Sequence, residues 1–288
     1  MKSTTVKAVL LAPWVITLAV FWIYPLIYAL VLSFTEYQTL TNSMTFVGFD
    51  NYKAVFTSDS FWQAFRNTAI FTGGTVPVTT TAALLLATAV RSQTAKYATI
   101  LRSSYFLPSV TSLVVIALIF TNLYSRDGYI SALVSMIGFP VPEHGWLLST
   151  QTALPAIMFM DVWISIGYYM ILFLSAMETI PRDLYETASL EGATPWQQFV
   201  RITLPLVKPT LLFVVVINTI KSFQIFVEVY VMTKGGPLGA TTTLVYNVYN
   251  SAFEQTNLMG YASAVAWVVF VLLAGISALQ LRLLRVRD

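Results

Sequence analysis

The sequence predicts an all-α membrane protein with six transmembrane helices, because its composition is strongly apolar and its apolar residues fall into six long stretches. Of its 288 residues, 57% are hydrophobic and only 10% are charged, and the mean hydropathy is +0.72. An average soluble domain is about a quarter charged. Aromatic residues, which are scarce in disordered chains, make up 14% of this one. The composition therefore excludes an ordinary soluble enzyme and a disordered chain.

Six stretches are long enough to span a bilayer, whose hydrocarbon core requires about 20 mostly apolar residues per helix. The predicted spans are residues 8–35, 67–90, 103–125, 151–177, 209–232 and 259–281. The first is far longer than the roughly 7–15 apolar residues of a signal peptide, so we interpret it as an anchor. The polar stretches between spans are short, so we expect a single transmembrane domain over residues 1–288.

The positive charges predict the orientation, since cytoplasmic loops of membrane proteins are enriched in Lys and Arg. With the N terminus inside, eleven of these residues fall on inner segments and four on outer loops. The inner ones are Lys2, Lys7, Arg91, Lys96, Arg102, Arg182, Arg201, Lys208, Arg282, Arg285 and Arg287, and the outer ones are Lys53, Arg66, Arg126 and Lys234. Six spans then place both termini in the cytoplasm.

Cysteine, histidine and nucleotide-binding motifs are almost absent from the sequence. There is no Cys, and His144 is the only histidine, which excludes disulfides, thiolate metal sites and multi-histidine sites. No GxxxxGK[ST] phosphate loop is present. We therefore expect no catalytic site, no metal site and no cofactor in this chain.

The loop between spans four and five, residues 180–205, is called the elbow below. Pro181 suits a first helical position, and Gly192 can adopt the left-handed conformation that ends a helix. Thr194 and Gln197 form a capping-box pattern for a second helix. These signals predict a helix–glycine–helix elbow suited to docking on another protein. The alternative is a solvated linker that contains some helix.

Two of the charges predicted to lie within the membrane, Asp161 and Lys221, fall at matching depths. They lie about ten and eleven residues from the outer ends of their spans, or roughly 15–17 Å deep at 1.5 Å per residue. Each belongs to a stripe at helical spacing. The stripes are Asp161, Ile164, Ser165 and Tyr168 in span four, and Asn218, Lys221, Ser222 and Ile225 in span five. Buried charges normally face a partner or a polar cavity, so we expect either a structural ion pair or a substrate-lining surface, and favour the latter.

Other notable residues of these spans are expected to have structural roles. Glu228, near the outer end of span five, is expected to snorkel or to bond an outer loop. Trp163, Phe223 and Phe226 are expected to pack between helices rather than to form a platform for a sugar.

The elbow resembles the signature of the permease subunits of binding-protein-dependent ABC importers. That signature is Glu-Ala-Ala, three further positions, Gly, nine further positions and Ile-x-Leu-Pro. Here it appears as Glu186-Thr187-Ala188, Gly192 and Ile202-Thr203-Leu204-Pro205, with Thr187 and Glu191 as mild departures. Residues 48–52, 233–237 and 241–244 are also similar to stretches of maltose-type and glycerol-3-phosphate-type permeases, so the resemblance covers nearly the whole chain.

The resemblance implies a type I (MetI-like) importer permease of the carbohydrate-uptake class, similar to the maltose-permease-F subunit, in a bacterial or archaeal cell membrane. The implied partners are a second, homologous permease subunit, a cytoplasmic ABC ATPase dimer that binds ATP and Mg²⁺, an extracytoplasmic solute-binding protein, and a sugar; no nucleic acid is implied. The elbow is then expected to enter a cleft of the ATPase. The residues expected to make this contact are Leu184, Tyr185, Glu186, Thr187, Ala188, Leu190, Gly192 and Ala193. The two stripes fall where maltose-type permeases place their sugar contacts.

Three alternatives remain open at this point. Lys221 in a cavity suits glycerol-3-phosphate or a related polyol phosphate, although Asp161 at the same depth favours a neutral sugar. An ion-coupled secondary transporter could use Asp161, Lys221 and Glu228 as a relay. An intramembrane enzyme is disfavoured because no catalytic set of residues is evident. The elbow argues against the last two classes, since neither needs a docking element.

Overall fold

The computed structural model describes residues 3–38, 43–255 and 258–284. These residues are mainly helical, and they include one two-stranded antiparallel hairpin. Lys2, Arg285 and Arg287, which entered the charge count, lie outside the described residues. Within these described residues, five helices are long and apolar enough to cross a membrane, and a bent helix pair makes a sixth if it is counted as one span. The predicted all-α membrane fold is thereby confirmed.

The elements divide between two compact units, one formed by residues 1–62 and 247–272 and the other by residues 63–246 and 273–288. In chain order the elements are α1 (Ser3–Leu18), α2 (Tyr24–Ser33), β1 (Thr35–Gln38), β2 (Ser43–Phe46), α3 (Asp50–Thr57), α4 (Asp59–Arg91), α5 (Ala95–Val110), α6 (Leu113–Leu123), α7 (Tyr129–Met136), α8 (Ala153–Glu178), α9 (Arg182–Leu190), α10 (Pro195–Gln198), α11 (Leu204–Leu206), α12 (Lys208–Phe223), α13 (Val227–Met232), α14 (Leu244–Tyr249) and α15 (Met259–Leu284). Three π-helical stretches, Ala19–Ile23, Phe199–Thr203 and Asn250–Glu254, and one 3₁₀ turn, Trp146–Leu148, complete the set.

The first unit begins with the apolar run Leu10–Ser33, most of whose side chains are exposed. The hairpin and α3 follow, and Asn51 of α3 joins them to the end of the run. Its Nδ2 donates to the carbonyl oxygens of Ser33 at 3.0 Å and Thr35 at 2.9 Å. Gly48 makes the turn into α3 with a φ of 59°, in the left-handed region that favours glycine. The described part of the first loop, residues 34–38 and 43–58, is therefore folded, which agrees with its mixture of aromatic and turn-forming residues.

The second unit is built around α8, which contributes buried residues along most of its length. Two apolar clusters lie against it. One includes Phe120 and Ile157, and the other, at the elbow end, includes Phe173 and Phe199. A Cβ at Gly167 of α8 would clash with backbone of α5, so these two helices pack with their main chains in contact. α8 is therefore the central helix against which the rest of this unit packs.

The third predicted span, residues 103–125, is two helices rather than one. α5 and α6 meet at an angle of 95°, and Thr111 and Ser112 between them adopt ψ angles of 150° and 122°. Pro108 has no N–H to donate to the preceding turn, which weakens the end of α5. Ser109 Oγ donates to the Ile164 carbonyl at 2.6 Å and fastens this end to α8. Hydropathy alone does not reveal such a bend, because both sides of it are apolar.

The fifth predicted span, residues 209–232, is interrupted. α12 ends at Phe223 and α13 begins at Val227. The interruption leaves the Ile225 carbonyl outside a helix, and Thr243 Oγ1 donates to it at 3.0 Å. Non-helical backbone at membrane depth is tolerated only where the protein covers it and satisfies its polar groups. The interrupted span therefore relies on Thr243, which follows α13 in the chain, to satisfy its free carbonyl group.

Residues 235–237 form a turn, as the sequence Gly-Gly-Pro predicts, and α4 binds the segment that follows it. Gly235 has a φ of 79°, and a Cβ on it would come within 2.7 Å of neighbouring side chains. Asn67 Nδ2 of α4 donates to the carbonyl oxygens of Gly239 and Thr242, each at 2.9 Å. The loop is therefore a fixed part of the second unit.

Candidate functional site

The elbow bends at Gly192, as its sequence predicts. Gly192 has a φ of 80°. Its N–H donates to the Ser189 carbonyl at 3.0 Å, and the N–H of Ala193 donates to the Ala188 carbonyl at 2.9 Å. These two bonds are the Schellman motif, which satisfies carbonyl groups left over at a helix end. The bend is thus set by backbone geometry.

The second helix of the elbow starts with the predicted capping box between Thr194 and Gln197. Gln198 then braces the bend, since its Nε2 donates to Ser189 Oγ at 2.9 Å. Pro181 differs from expectation, because it lies at the N-cap and α9 begins at the next residue. These side-chain bonds fix the angle between α9 and α10.

Most of the predicted docking residues point outward. Leu184, Glu186, Thr187, Leu190 and Gly192 are exposed, whereas Tyr185, Ala188 and Ala193 are partly buried. Leu190 is 89% exposed, and Trp196, which sequence reasoning missed, is 66% exposed. Exposed apolar side chains grouped on a polar segment are typical of an interaction surface. The elbow therefore offers a rigid, partly apolar docking surface.

Tyr185 is turned toward its own chain. Arg91 Nη1, at the end of α4, donates to the Tyr185 hydroxyl at 2.8 Å, and the guanidinium carbon lies 4.6 Å from the ring centroid. The same hydroxyl shares a 2.9 Å hydrogen bond with Thr203 Oγ1. A cleft of about 370 Å³ lies beside this group. Tyr185 therefore joins α9 to the end of α4 and to the last part of the elbow.

The charges in spans four and five meet, as their depths predict. Lys221 Nζ lies 2.7 Å from Asp161 Oδ1 and donates to Ser165 Oγ at 2.6 Å. The Asp161 side chain is 2% exposed and the Lys221 side chain 39%. The structural interpretation of the pair thus has direct geometric support, and Lys221 also presents a face to open space.

A cavity of about 280 Å³ opens beside Lys221. Four predicted stripe residues line it, namely Ile164, Ser165, Tyr168 and Lys221. The other lining residues were missed by sequence reasoning and are Ser109, Thr111, Leu113, Tyr169 and Ile217. Ser109 and Thr111 reach the cavity because α5 bends there. The hydroxyl residues that follow Pro108 are the signal that could have pointed to them.

The other four stripe residues lie behind the cavity. Asp161, Asn218, Ser222 and Ile225 are buried and are not among its lining residues. Thr75 of α4 donates to Ser222 Oγ at 3.2 Å, which shows that this side of α12 faces α4. Asp161 Oδ2 and Asn218 Nδ2 are buried and have no hydrogen-bond partner among the residues that the structure describes. Since buried polar atoms are normally bonded, these two have unused capacity to bind a polar ligand.

The aromatic residues of these spans pack as expected. Phe223 is buried. The Trp163 ring lies 5.4 Å from that of Phe120, and the Phe226 ring stacks 5.5 Å from that of Tyr230. These contacts give all three predicted packing residues a structural role.

Glu228 does not snorkel to the surface, since it is 3% exposed in the first turn of α13. The backbone N–H groups of Phe226 and Glu228 donate to its carboxylate. A carboxylate at the start of a helix is favoured by the helix dipole. Glu228 therefore lies inside the protein at the restart of the interrupted span.

A cavity at the bend between α5 and α6, with hydroxyl groups and Lys221 in its wall, and an exposed docking elbow are together typical of a multi-span membrane transport protein. Similar proteins agree with this class. The lactose transport system permease protein LacF of Rhizobium radiobacter is 35% identical over 271 residues, which cover 93% of this chain and 90% of LacF. The arabinooligosaccharides transport system permease protein AraP of Bacillus subtilis (strain 168) is 30% identical, with coverage of 94% and 86%.

A solved structure shares the fold. It is described as a bacterial ABC transporter involved in the import of the acidic polysaccharide alginate, and one of its chains matches with a TM-score of 0.85 at 23% identity, covering 99% of this chain and 96% of that one. A family model, the inner membrane component of binding-protein-dependent transport systems, matches residues 79–285. The chain belongs to this family. It is accordingly a multi-pass protein of the bacterial cell membrane.

Proposed function

We propose that this chain is a permease subunit of an ATP-driven sugar importer that receives its substrate from a solute-binding protein. The relatives named for lactose and for arabinooligosaccharides align over more than nine-tenths of the chain, which supports a sugar as the substrate. The observation that carries the mechanism is the elbow, a rigid bend between α8 and α12 with exposed apolar residues. Such an element can convert the movement of a docked partner into a tilt of the spans.

The docked partner in this proposal is a cytoplasmic ABC ATPase dimer, which supplies the sites for ATP and Mg²⁺. This chain contains no phosphate loop, so the ATP must be hydrolysed by another subunit. The excess of Lys and Arg on the elbow side supports a cytoplasmic elbow and cytoplasmic termini. A second, homologous permease subunit completes the membrane pathway in the proposed assembly.

The proposed substrate site is the cavity beside Lys221. Sugar hydroxyls both donate and accept hydrogen bonds, and Ser109, Ser165 and Tyr168 supply matching groups at its wall. The unpartnered Asp161 Oδ2 and Asn218 Nδ2 lie behind this wall and become available when α8 and α12 separate.

A neutral saccharide suits this site better than a phosphorylated polyol, because Asp161 already compensates the charge of Lys221 at 2.7 Å. The exposed part of Lys221 keeps glycerol-3-phosphate as the second candidate. A substrate that carries a phosphate would have to compete with Asp161 for the ammonium group.

The proposal is tested by purifying the tagged chain from its host and identifying the proteins that accompany it. We expect a second six-span permease and an ATPase. The purified complex is then placed in liposomes with ATP, binding protein and radiolabelled lactose, maltose or glycerol-3-phosphate. Uptake of a neutral sugar is the expected result. Uptake of glycerol-3-phosphate alone would make that compound the proposed substrate in place of a neutral sugar. Absence of an ATPase from the purified complex would refute the proposed function.

The variant Leu190→Glu tests docking separately from substrate binding. It places a charge on the most exposed apolar side chain of α9 and leaves the cavity unchanged. We expect it to lose the ATPase from the purified complex while the two permease subunits remain together.

A further inference from the structure

Three elements of the second unit converge on the hydroxyl of Tyr185. Arg91 ends α4, Tyr185 lies in α9 and Thr203 ends the π-helical stretch that leads to α12. Hydrogen bonds of 2.8 Å and 2.9 Å join them in series. The first helix of the elbow is thus joined by one side-chain oxygen to span two and to the last part of the elbow, which leads to span five.

The side-chain chemistry of Arg91, Tyr185 and Thr203 favours a stable link between these three residues. A tyrosine hydroxyl offers one donor and can accept two bonds, so it serves Arg91 and Thr203 together. Arg91 lies in the last turn of α4, where a cation is favoured by the helix dipole. Its guanidinium also lies over the Tyr185 ring, a cation–π arrangement. Thr203 is 3% exposed, so its bond is shielded from water.

The orientation of Tyr185 separates it from its neighbours on α9. Leu184 and Glu186 are exposed, whereas Tyr185 packs against the apolar cluster at the elbow end. A residue turned inward in this way uses its hydroxyl for bonds within the chain, whereas its exposed neighbours on α9 are free to contact a docked protein.

We propose that Tyr185 is a positioning residue that makes the elbow, the end of α4 and the start of α12 move as one body. This inference rests on the proposed function, in which a docked ATPase displaces the elbow. Without the hydroxyl, the elbow would still bind its partner, but its displacement would pass less completely to α4. Loss of the hydroxyl should then lower coupling, measured as sugar imported per ATP hydrolysed, and should leave docking of the ATPase unchanged.

The test uses the complete transporter in liposomes. Tyr185→Phe removes the hydroxyl and keeps the ring under Arg91, and Thr203→Val removes the second partner at nearly constant volume. We expect Tyr185→Phe, which removes both hydrogen bonds, to lower the sugar-to-ATP ratio at least about fivefold, the factor that a single hydrogen bond of ordinary net strength provides. The double variant should be no worse than Tyr185→Phe, since both substitutions break the same bond. Tyr97→Phe, at an exposed tyrosine of α5, is the matched control and should keep the wild-type ratio.

Three results would overturn the inference. Loss of the ATPase from the Tyr185→Phe complex would make Tyr185 a docking residue. A lower melting temperature with an unchanged sugar-to-ATP ratio would make its role merely structural. A wild-type ratio with wild-type stability would give the hydroxyl no role. Failure of the proposed function itself is recognised separately, because the wild-type protein would then copurify with no ATPase.

Discussion

Replacing Gly192 should weaken the elbow through backbone strain alone. The φ of Gly192 is 80°, and no atom lies within 4 Å of the position where a Cβ would stand. A side chain therefore meets no steric obstacle within the chain, and the remaining penalty is that of the left-handed conformation, about 1–2 kcal/mol for alanine. That penalty lowers the ratio of bent to unbent elbow by a factor of roughly 5–30. Asparagine tolerates this conformation better than alanine.

The assay is ATP-dependent sugar uptake by the reconstituted transporter, together with the amount of ATPase that copurifies. We expect uptake to decrease in the order Gly192, Gly192→Asn, Gly192→Ala, while the protein remains inserted in the membrane. Gly192→Asp adds a negative charge to the docking surface, and we expect that variant to be inserted but uncoupled. The reasoning is refuted if Gly192→Ala transports normally, or if asparagine is as damaging as alanine, because either result removes backbone conformation as the cause.

Three further predictions concern packing, charge and capping. Gly167→Ala brings a Cβ against the α5 backbone, and the resulting overpacking of about 1–3 kcal/mol should lower the melting temperature by several degrees. Gly275→Ala is the control, because there is open space around its Cβ, and it should leave the melting temperature unchanged. Equal melting temperatures for the two variants would contradict the close packing of α5 and α8. Asp161→Ala should cut sugar uptake but keep the ATPase bound, and full transport by Asp161→Ala/Lys221→Met would assign the ion pair to structure alone. Thr194→Ala should destabilise α10 by about 1 kcal/mol and reduce coupling, with Thr194→Ser close to wild type; a coupling loss with serine as well would exclude the cap.

The features that the sequence predicts well are those that depend on neighbouring residues. Span positions follow from the local density of apolar side chains, since a bilayer imposes a minimum length. The bend at Gly192 and the capping box at Thr194 depend on a few adjacent residues whose backbone preferences are strong. The meeting of Asp161 with Lys221 was also predictable, because helical rise converts residue counts into depth.

The features that were missed depend on tertiary packing. Thr111 and Ser112 leave the helix where α5 is fastened to α8 through Ser109, and the interruption before α13 is stabilised by Thr243, which is distant in sequence. Helical spacing placed Asp161 and Lys221 on facing stripes, but it could not tell which stripe residues line the cavity, since that depends on how α12 turns toward α4. The position of Tyr185 on α9 is likewise predictable, but its orientation toward Arg91 depends on tertiary packing.

The central claim is that this chain is a passive membrane gate driven through its elbow by an ATP-hydrolysing partner. The most direct measurement compares sugar uptake by liposomes that contain the purified chain alone, under a proton or sodium gradient, with uptake by liposomes that contain the complete complex with ATP and binding protein. The account predicts uptake only in the second case. Uptake by the chain alone, driven by the ion gradient, would contradict it.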